Sequence, residues 1–199
     1  MPKLIKRKKG QKGFTLIELL VVAAIIGILL ALAIPNLIKA RISANEANAR
    51  KSMQTLRDAE AEYFEQDLNN NNQRDYTQLI GTLTTSNSLR GPDGSGDEQD
   101  SLIDNSFEGA LAGTDGSEAT AADCTDAKAG YCIGMSDTAD IGSTDFDFGW
   151  EASFRAFDKT GRRDFSVFGD GTIRCTLDTS QSKGAQGAFG SSRSDAGCD

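Results

Sequence analysis

A single carboxylate stands in an apolar stretch of 21 residues, from Phe14 to Ile34, whose only other polar side chain is that of Thr15. A helix of this length spans about 30 Å at about 1.5 Å per residue, which is the thickness of a bilayer core. The stretch therefore predicts a membrane helix. The acid is Glu18, about one turn inside the N-terminal end. Because a charged group in lipid is costly without a partner, Glu18 is the first candidate functional residue.

Basic residues flank this helix on one side only. Six Lys and Arg side chains and no acid precede it, which predicts a cytoplasmic N-terminus and places the residues after Pro35 on the other side of the membrane. The apolar run is too long for a secretory signal peptide, and no small-x-small cleavage site follows it. The attractive cleavage point lies before the run, between Gly13 and Phe14. A cut there would remove residues 1–13 and keep the helix.

The N-terminal motif carries a family resemblance. The string Gly13-Phe14-Thr15-Leu16-Ile17-Glu18, the apolar run after it and then Ala33-Ile34-Pro35-Asn36 closely resemble the N-terminus of type IV pilins and type II secretion pseudopilins. The resemblance covers roughly residues 6–66. It implies cleavage after Gly13 by a prepilin peptidase, N-methylation of Phe14, and a role for Glu18 in guiding assembly.

The physical chemistry of Glu18 supports that role. Cleavage would create a charged amine on Phe14 at the membrane boundary, and Glu18 of a neighbouring helix could neutralise it. A paired buried charge is tolerable where a lone one is not. The pair would fix the axial register of each incoming subunit, as one polar core residue does in a coiled coil. The alternative is an ordinary single-pass anchor with an interfacial Glu.

Composition excludes several classes of function. Of 199 residues with net charge −8, those after residue 13 carry 15 basic and 29 acidic side chains, a net charge of −14. An acidic exterior argues against nucleic acid as the main partner and suits solubility outside a cell. With no His, a Ser-His-Asp triad, a Cys-His pair and a His-based zinc site are all excluded. The enzyme alternative, a membrane-tethered hydrolase, has no recognisable catalytic set.

The pattern after the membrane segment predicts an α+β fold. Residues 36–67 continue the helix of residues 14–35, with Pro35 predicted to kink it. One face is apolar at helical spacing: Ile38, Ile42, Ala49, Met53, Leu56, Ala59 and Tyr63. The opposite face is polar: Lys39, Arg41, Glu46, Arg50, Lys51, Arg57, Asp58 and Glu62. Residues 68–145 form a loop-rich variable region with few apolar anchors.

Residues 146–199 predict a small antiparallel sheet and a tail. Phe146, Phe148 and Trp150 alternate, and Phe154 and Phe157 continue this strand. A turn at 159–162, a strand at 164–168, a tight turn at 169–171 and a strand at 172–177 complete a meander. The resemblance implies that the apolar face of the helix packs under this sheet. The Gly- and Ser-rich residues 180–199 are predicted to be held by Cys198.

Four cysteines lie beyond the membrane helix: Cys124, Cys132, Cys175 and Cys198. An even number outside the membrane predicts two disulfides, for which three connectivities exist. Sequential pairing is the simplest of the three, and its second bond would resemble the C-terminal disulfide loop of many pilins. A catalytic thiol lacks a His partner here, and Cys-x7-Cys is not a usual zinc spacing.

Oxygen-bearing side chains alternate after the helix, at positions 67, 69, 71, 73 and 75. This alternation resembles the first part of a calcium loop, with Asp67, Asn69, Asn71 and Asp75 as candidate ligands. Asn72 replaces the usual Gly and no Glu closes the loop, so a helix-capping turn is the alternative interpretation. No other cofactor is predicted.

The resemblance implies a structural subunit of a homo-oligomeric, helical, type IV pilus-like filament that serves assembly, motility or adhesion. Its partners would be the prepilin peptidase, an inner-membrane assembly platform and the membrane. The chain would cross the inner membrane once before it enters an extracellular pilus or periplasmic pseudopilus. The alternatives are a pseudopilin that drives protein export and a minor or tip pilin that binds a surface or DNA.

Overall fold

Two compact units divide the chain, Met1–Lys39 and Ala40–Asp199. The structure is a computed structural model, and it describes residues 13–68, 70–81, 84–85, 87–91, 100–112, 124–136, 141, 146–177, 181–187 and 189–198. Two helices are described, α1 (Leu16–Gln66) and α2 (Ser106–Ala110). Four strands form one sheet: β1 (Tyr131–Met135), β2 (Gly149–Phe154), β3 (Arg163–Phe168) and β4 (Ile173–Leu177). The predicted α+β class is confirmed.

The long helix α1 begins one residue after Thr15 and contains Pro35 without interruption. A bend at Pro35 stays a prediction. The helix ends at Gln66 because the next residues adopt left-handed backbone conformations, with φ of 47° at Asp67, 56° at Asn70 and 62° at Asn72. Asn and Asp tolerate this conformation better than other side chains that carry a Cβ. The predicted end of the helix near Asp67 is confirmed.

The apolar face of α1 is buried as predicted from Ile42 to Tyr63, with two polar residues, Ser52 and Glu60, buried on the same side. Ile38 is 38% exposed, so the buried face does not reach back to that residue. Glu46 is half-buried rather than on a solvated face. It accepts a hydrogen bond from the backbone N–H of Arg162 at 3.1 Å and pairs with Arg163 at 3.8 Å.

The sheet is antiparallel throughout, in the order β1-β2-β3-β4. Its first strand, β1, lies inside the predicted loop-rich region, so the sheet begins earlier than predicted. Strand β1 is buried at all five positions and therefore lacks the polar-apolar alternation that marks a half-exposed strand. Phe146 is 85% exposed and lies before β2, and Phe157 lies after the end of β2 at Phe154. The sequence predicts Phe146 and Phe157 in one strand with Trp150, and this prediction is wrong for both residues.

The two faces of the sheet differ in chemistry. Side chains of one face share an apolar core with α1, among them Tyr131, Ile133, Trp150, Ala152, Phe165 and Val167. The other face buries polar groups: Ser136 donates to Glu151 at 2.8 Å, Ser153 donates to Asp164, and the hydroxyls of Ser166 and Ser191 lie 2.8 Å apart. Hydrogen bonding makes this burial tolerable.

Backbone segments cover both edges of the sheet. On the β1 side, Ala112 donates its backbone N–H to Ile133 at 2.7 Å. On the β4 side, Cys198 donates to Ile173 at 3.1 Å and Cys175 donates to Ala196 at 3.3 Å. The backbone groups bonded in this way are not free to pair with strands of other chains.

Candidate functional sites

The predicted cleavage junction lies just before α1. Residues 13–15 precede α1, which starts at Leu16, and the Thr15 carbonyl accepts the backbone N–H of Leu19 at 3.4 Å. Phe14 is 83% exposed, and no atom of another part of the described structure lies within 4 Å of the position a Cβ would take at Gly13. A peptidase needs an uncovered peptide bond. The geometry at this junction therefore suits cleavage between Gly13 and Phe14.

Glu18 forms a capping box with Thr15. Its carboxylate accepts hydrogen bonds from the backbone N–H of Thr15 at 2.8 Å and from the Thr15 hydroxyl at 2.7 Å, while its own N–H donates to the Thr15 Oγ1 at 3.3 Å. This reciprocal arrangement satisfies donors at the start of the helix. The Thr-x-x-Glu spacing of Thr15 and Glu18 is the sequence signal for this capping box, and it marks Thr15 as a residue that positions Glu18.

The first part of α1 is long and apolar enough to cross a membrane by length and composition. Its large side chains are exposed from Leu16 to Leu37, including Ile25, Ile28 and Leu32. An exposed apolar surface of this extent marks a membrane or protein contact.

Glu60 is a functional candidate that the sequence did not reveal, because it lies one position off the apolar spacing of α1. It is fully buried in the second unit. Its Oε1 accepts from the Trp150 indole N–H at 2.7 Å, and its Oε2 accepts from the Thr77 backbone N–H at 3.2 Å. Burial raises the pKa of Glu60 to about 8, although both hydrogen bonds lower it. The partial burial of the Tyr76 side chain and, second, the nearby Glu60 charge raise the pKa of Tyr76.

The four cysteines form two disulfides, Cys124–Cys132 and Cys175–Cys198, and the described residues hold no free thiol. The sequential connectivity, one of three that the sequence left open, is thus the one in the structure. The first bond closes a short loop between Cys124, which precedes β1, and Cys132, which lies in β1. The second joins β4 to the tail that covers its edge.

The candidate calcium loop forms turn contacts in the structure. Asp67 Oδ2 accepts from the backbone N–H of Asn72 at 3.0 Å, Asn71 Oδ1 accepts from Gln73 N–H at 2.6 Å, and the Asn71 amide donates to Asp75 at 2.8 Å. Asn69 lies outside the described residues. These hydrogen bonds stop the helix, and calcium binding stays a prediction.

An open polar depression of about 640 Å³ lies between α2 and residues 125–128. Lys128 at its rim pairs with Asp104 at 3.1 Å and stands 4.3 Å from the centre of the Phe107 ring. Within the described ranges, no group of three or more His, Cys, Asp or Glu side chains could hold a metal ion.

Comparison with known proteins concerns the N-terminal segment. The family model of the prokaryotic N-terminal methylation motif matches residues 8–34. The type IV major pilin protein PilA of Myxococcus xanthus is 47% identical over 53 residues, 27% of this chain and 24% of that protein. In Thermus thermophilus, the type IV wide pilus major component PilA4 is 63% identical over 38 residues (19% and 29%), and the type IV narrow pilus major component PilA5 is 48% identical over 50 residues (25% and 43%).

The chain spans less than half the length of each of these relatives. The family-model match holds Gly13, Phe14 and Glu18 and does not reach the sheet. No solved structure matches the chain.

Proposed function

We propose that this chain, whose N-terminal segment is that of type IV major pilins, is a structural subunit of a type IV pilus-like filament. The observation that carries the proposal is one continuous segment that combines the matched N-terminal methylation motif, a Glu18 bound by Thr15 and an exposed apolar helix. The relatives that share this segment are named as major pilus components. The chain acts as a building block rather than as an enzyme.

Assembly begins in the membrane. The basic residues before Gly13 hold the N-terminus in the cytoplasm, and α1 crosses the inner membrane once. A prepilin peptidase cuts after Gly13 and the new terminus at Phe14 is N-methylated. The subunit then leaves the membrane for the filament, where apolar helices of many copies replace lipid as the surroundings of α1. An inner-membrane assembly platform transfers the subunit from the membrane to the filament.

Glu18 gives each subunit its axial position. In the lone chain its carboxylate is held by Thr15, which lowers the cost of an acid in lipid. In the filament, the positively charged amine of Phe14 on a neighbouring subunit is a stronger partner than Thr15, since it adds the attraction of opposite charges to the hydrogen bond. The exchange of a local partner for an intermolecular one favours assembly at one register.

The second candidate function is that of a pseudopilin of a type II secretion system. It is favoured by the Thr160-Gly161-Arg162-Arg163 hairpin together with Gly171-Thr172-Ile173-Arg174, which lie where β2, β3 and β4 are linked. Deletion of the gene separates the two functions: loss of surface filaments supports the pilus subunit, and loss of protein export with filaments intact supports the pseudopilin.

Intact-mass analysis of sheared surface filaments tests the proposal directly. We expect a chain that starts at Phe14, carries one additional methyl group and has lost four hydrogens to two disulfides. Gly13→Leu is the matched variant, since it changes the junction and leaves the helix unaltered, and it should accumulate uncut in the membrane. Filaments built from chains that retain Lys12 and Gly13 would contradict the proposal.

A further inference from the structure

The turn between β2 and β3 carries exposed basic side chains. Asp158 in this turn accepts from the Arg162 Nε at 2.6 Å and pairs with Lys183 of the tail at 3.6 Å. Among the described residues, Lys159 has no ion pair. We call the cluster the basic turn, and all its members are exposed: Lys159, Arg162, Arg163 and Lys183. Only the carboxylates of Asp158 and Glu46 pair with it, so it stays basic on a strongly acidic chain.

The basic turn is bound to α1 close to where the second unit begins. Asn45 donates its side-chain amide to the Thr160 carbonyl at 2.8 Å. Glu46 accepts the backbone N–H of Arg162 at 3.1 Å and pairs with Arg163 at 3.8 Å. These contacts from two neighbouring residues of α1 fix the place of the turn within the second unit.

Chain connectivity brings this end of the second unit close to the membrane. The exposed large apolar side chains of α1 run as far as Ile38, and Glu46 follows about two turns later, a rise of about 12 Å along the helix. Between Glu18 and Glu46 the sequence has only two charged side chains, Lys39 and Arg41, and both are basic and exposed. The boundary between the apolar helix and the second unit is therefore positively charged.

We infer that the basic turn, together with Lys39 and Arg41, binds anionic phospholipid headgroups of the membrane that α1 crosses. The inference rests on the proposed function, because it needs α1 in a membrane. Each Lys or Arg near an anionic bilayer surface strengthens binding by about fivefold. The planar guanidinium groups of Arg162 and Arg163 also match the geometry of a phosphate group.

The acidic charge of the chain does not prevent this contact. From residue 58 to 67 every charged side chain is acidic: Asp58, Glu60, Glu62, Glu65 and Asp67. This acidic segment begins about 18 Å beyond Glu46 along α1, whereas the field of a charged surface decays over about 8 Å at physiological ionic strength. A polyanion in solution would meet the acidic surface from any side. A bilayer meets the end at which the chain leaves it, and that end is basic.

Amine labelling of the full chain in lipid nanodiscs tests the inference. Discs of phosphatidylcholine alone are compared with discs that also contain phosphatidylglycerol, and peptide mass spectrometry gives the labelling rate of each Lys. Lys159 and Lys183 should react about fivefold more slowly in the anionic discs. Lys51, which is exposed farther along α1, should react at the same rate in both. At about 1 M salt, where the Debye length is about 3 Å, the difference should disappear.

Two double variants separate the basic turn from the overall charge. Lys159→Gln with Arg163→Gln removes two positive charges of the turn, and Lys183 should then lose its protection in the anionic discs. Arg57→Gln with Arg74→Gln removes two positive charges elsewhere in the second unit and should leave the protection of Lys183 as in the parent. Protease resistance of the second unit checks that each variant is folded.

The possible results differ in what they overturn. Equal labelling of Lys159 and Lys183 in the two kinds of disc would overturn the inference, as would parental protection of Lys183 in the Lys159/Arg163 variant. Protection by inorganic phosphate or by a DNA duplex in place of anionic lipid would identify a different partner and likewise overturn it. All these results leave the proposed function standing. A chain that washes out of the discs would overturn the membrane helix of the proposed function and, with it, the inference.

Discussion

The carboxylates of Glu18 and Glu60 differ in what holds them. Glu18 lies on an exposed apolar helix and is bound by Thr15 within its own turn. Glu60 lies in the core and is bound by Trp150 and Thr77, which come from distant parts of the chain. A local partner leaves Glu18 able to change partners, whereas Glu60 is enclosed on all sides.

Replacement of Glu18 separates its charge from its capping role. Glu18→Ala should leave membrane insertion intact, since it makes α1 more apolar, and should prevent filament assembly. Glu18→Gln keeps an oxygen that Thr15 can bind but loses the charge, so it should fail to assemble as well. Membrane fractionation and imaging of surface filaments measure both effects. Normal filaments from Glu18→Ala would refute the charge-pairing mechanism.

Glu60 should make the stability of the fold depend on pH. Its pKa is about 8 when folded against an ordinary value of 4.5, so the folded state holds a proton that the unfolded state has lost between these values. The free energy of unfolding should therefore fall as pH rises from about 5 to 8 and level off above. We expect the Tm of the detergent-solubilised chain to fall over this range and that of Glu60→Gln to fall less.

The chain offers a direct probe and a control for that titration. Trp150 is the single Trp and donates to Glu60, so its fluorescence should change near pH 8 in the parent and stay constant in Glu60→Gln. Glu62→Gln, an exposed neighbour on the same helix, should behave as the parent does. An identical pH slope of Tm in Glu60→Gln and the parent would show that Glu60 is ionised in the fold.

At the scale of elements, the sheet depends on short segments that close its edges. Leu111 and Ala112 pair with β1, and the tail around Ala196–Cys198 pairs with β4. Only the tail is tied by a disulfide to the strand that it covers. Hydrogen bonds and the disulfide together keep the last strand from pairing with other chains.

Removal of the second disulfide should free the β4 edge. Cys175→Ser with Cys198→Ser opens a loop of sequence separation 23, which should cost about 3.5 kcal/mol of stability on the chain-entropy model. Cys124→Ser with Cys132→Ser opens a loop of separation 8 and should cost about 1 kcal/mol less. Thermal unfolding and light scattering measure the two pairs. Stronger aggregation of the Cys124/Cys132 variant would contradict the role of the tail.

The Asn-rich turn after α1 allows a calcium test. Two charged ligands without a closing Glu predict weak binding, on the order of 10⁻⁴ to 10⁻³ M. Calcium at 100 times its dissociation constant stabilises a fold by about 2.7 kcal/mol, so tens of millimolar calcium should raise the Tm. Asp67→Ala with Asp75→Ala should remove that gain. Equal shifts with calcium and magnesium would show that the turn only caps α1.

At the scale of the whole molecule, the two units have opposite surface chemistry. Residues 14–34 carry one charged side chain, while the chain from residue 35 onward is strongly acidic and buries its apolar groups in one main core. An apolar helix joined to a soluble domain is suited to a filament, where the helices associate away from water and the domains face it. The family model matches residues 8–34, which lie in the first unit.

The sequence alone determined the N-terminal half of this protein, because its signals are local. The membrane-length apolar run, the Gly13–Phe14 junction, Glu18 and the helix end at the Asn cluster each depend on neighbours within a few residues. Helical periodicity likewise predicted most of the buried face of α1. The strands β3 and β4 were predicted for the same reason, since a tight turn and a change of period mark them.

Tertiary structure alone decided the rest. Strand β1 is buried on both faces, so its residues carry no alternation, and only its partner β2 identifies it as a strand. Glu60 interrupts no sequence pattern, and its role depends on Trp150, 90 residues away. The pairing of the four cysteines depends on which strand edges meet. These features arise from contacts between distant residues, and periodicity within one segment cannot encode them.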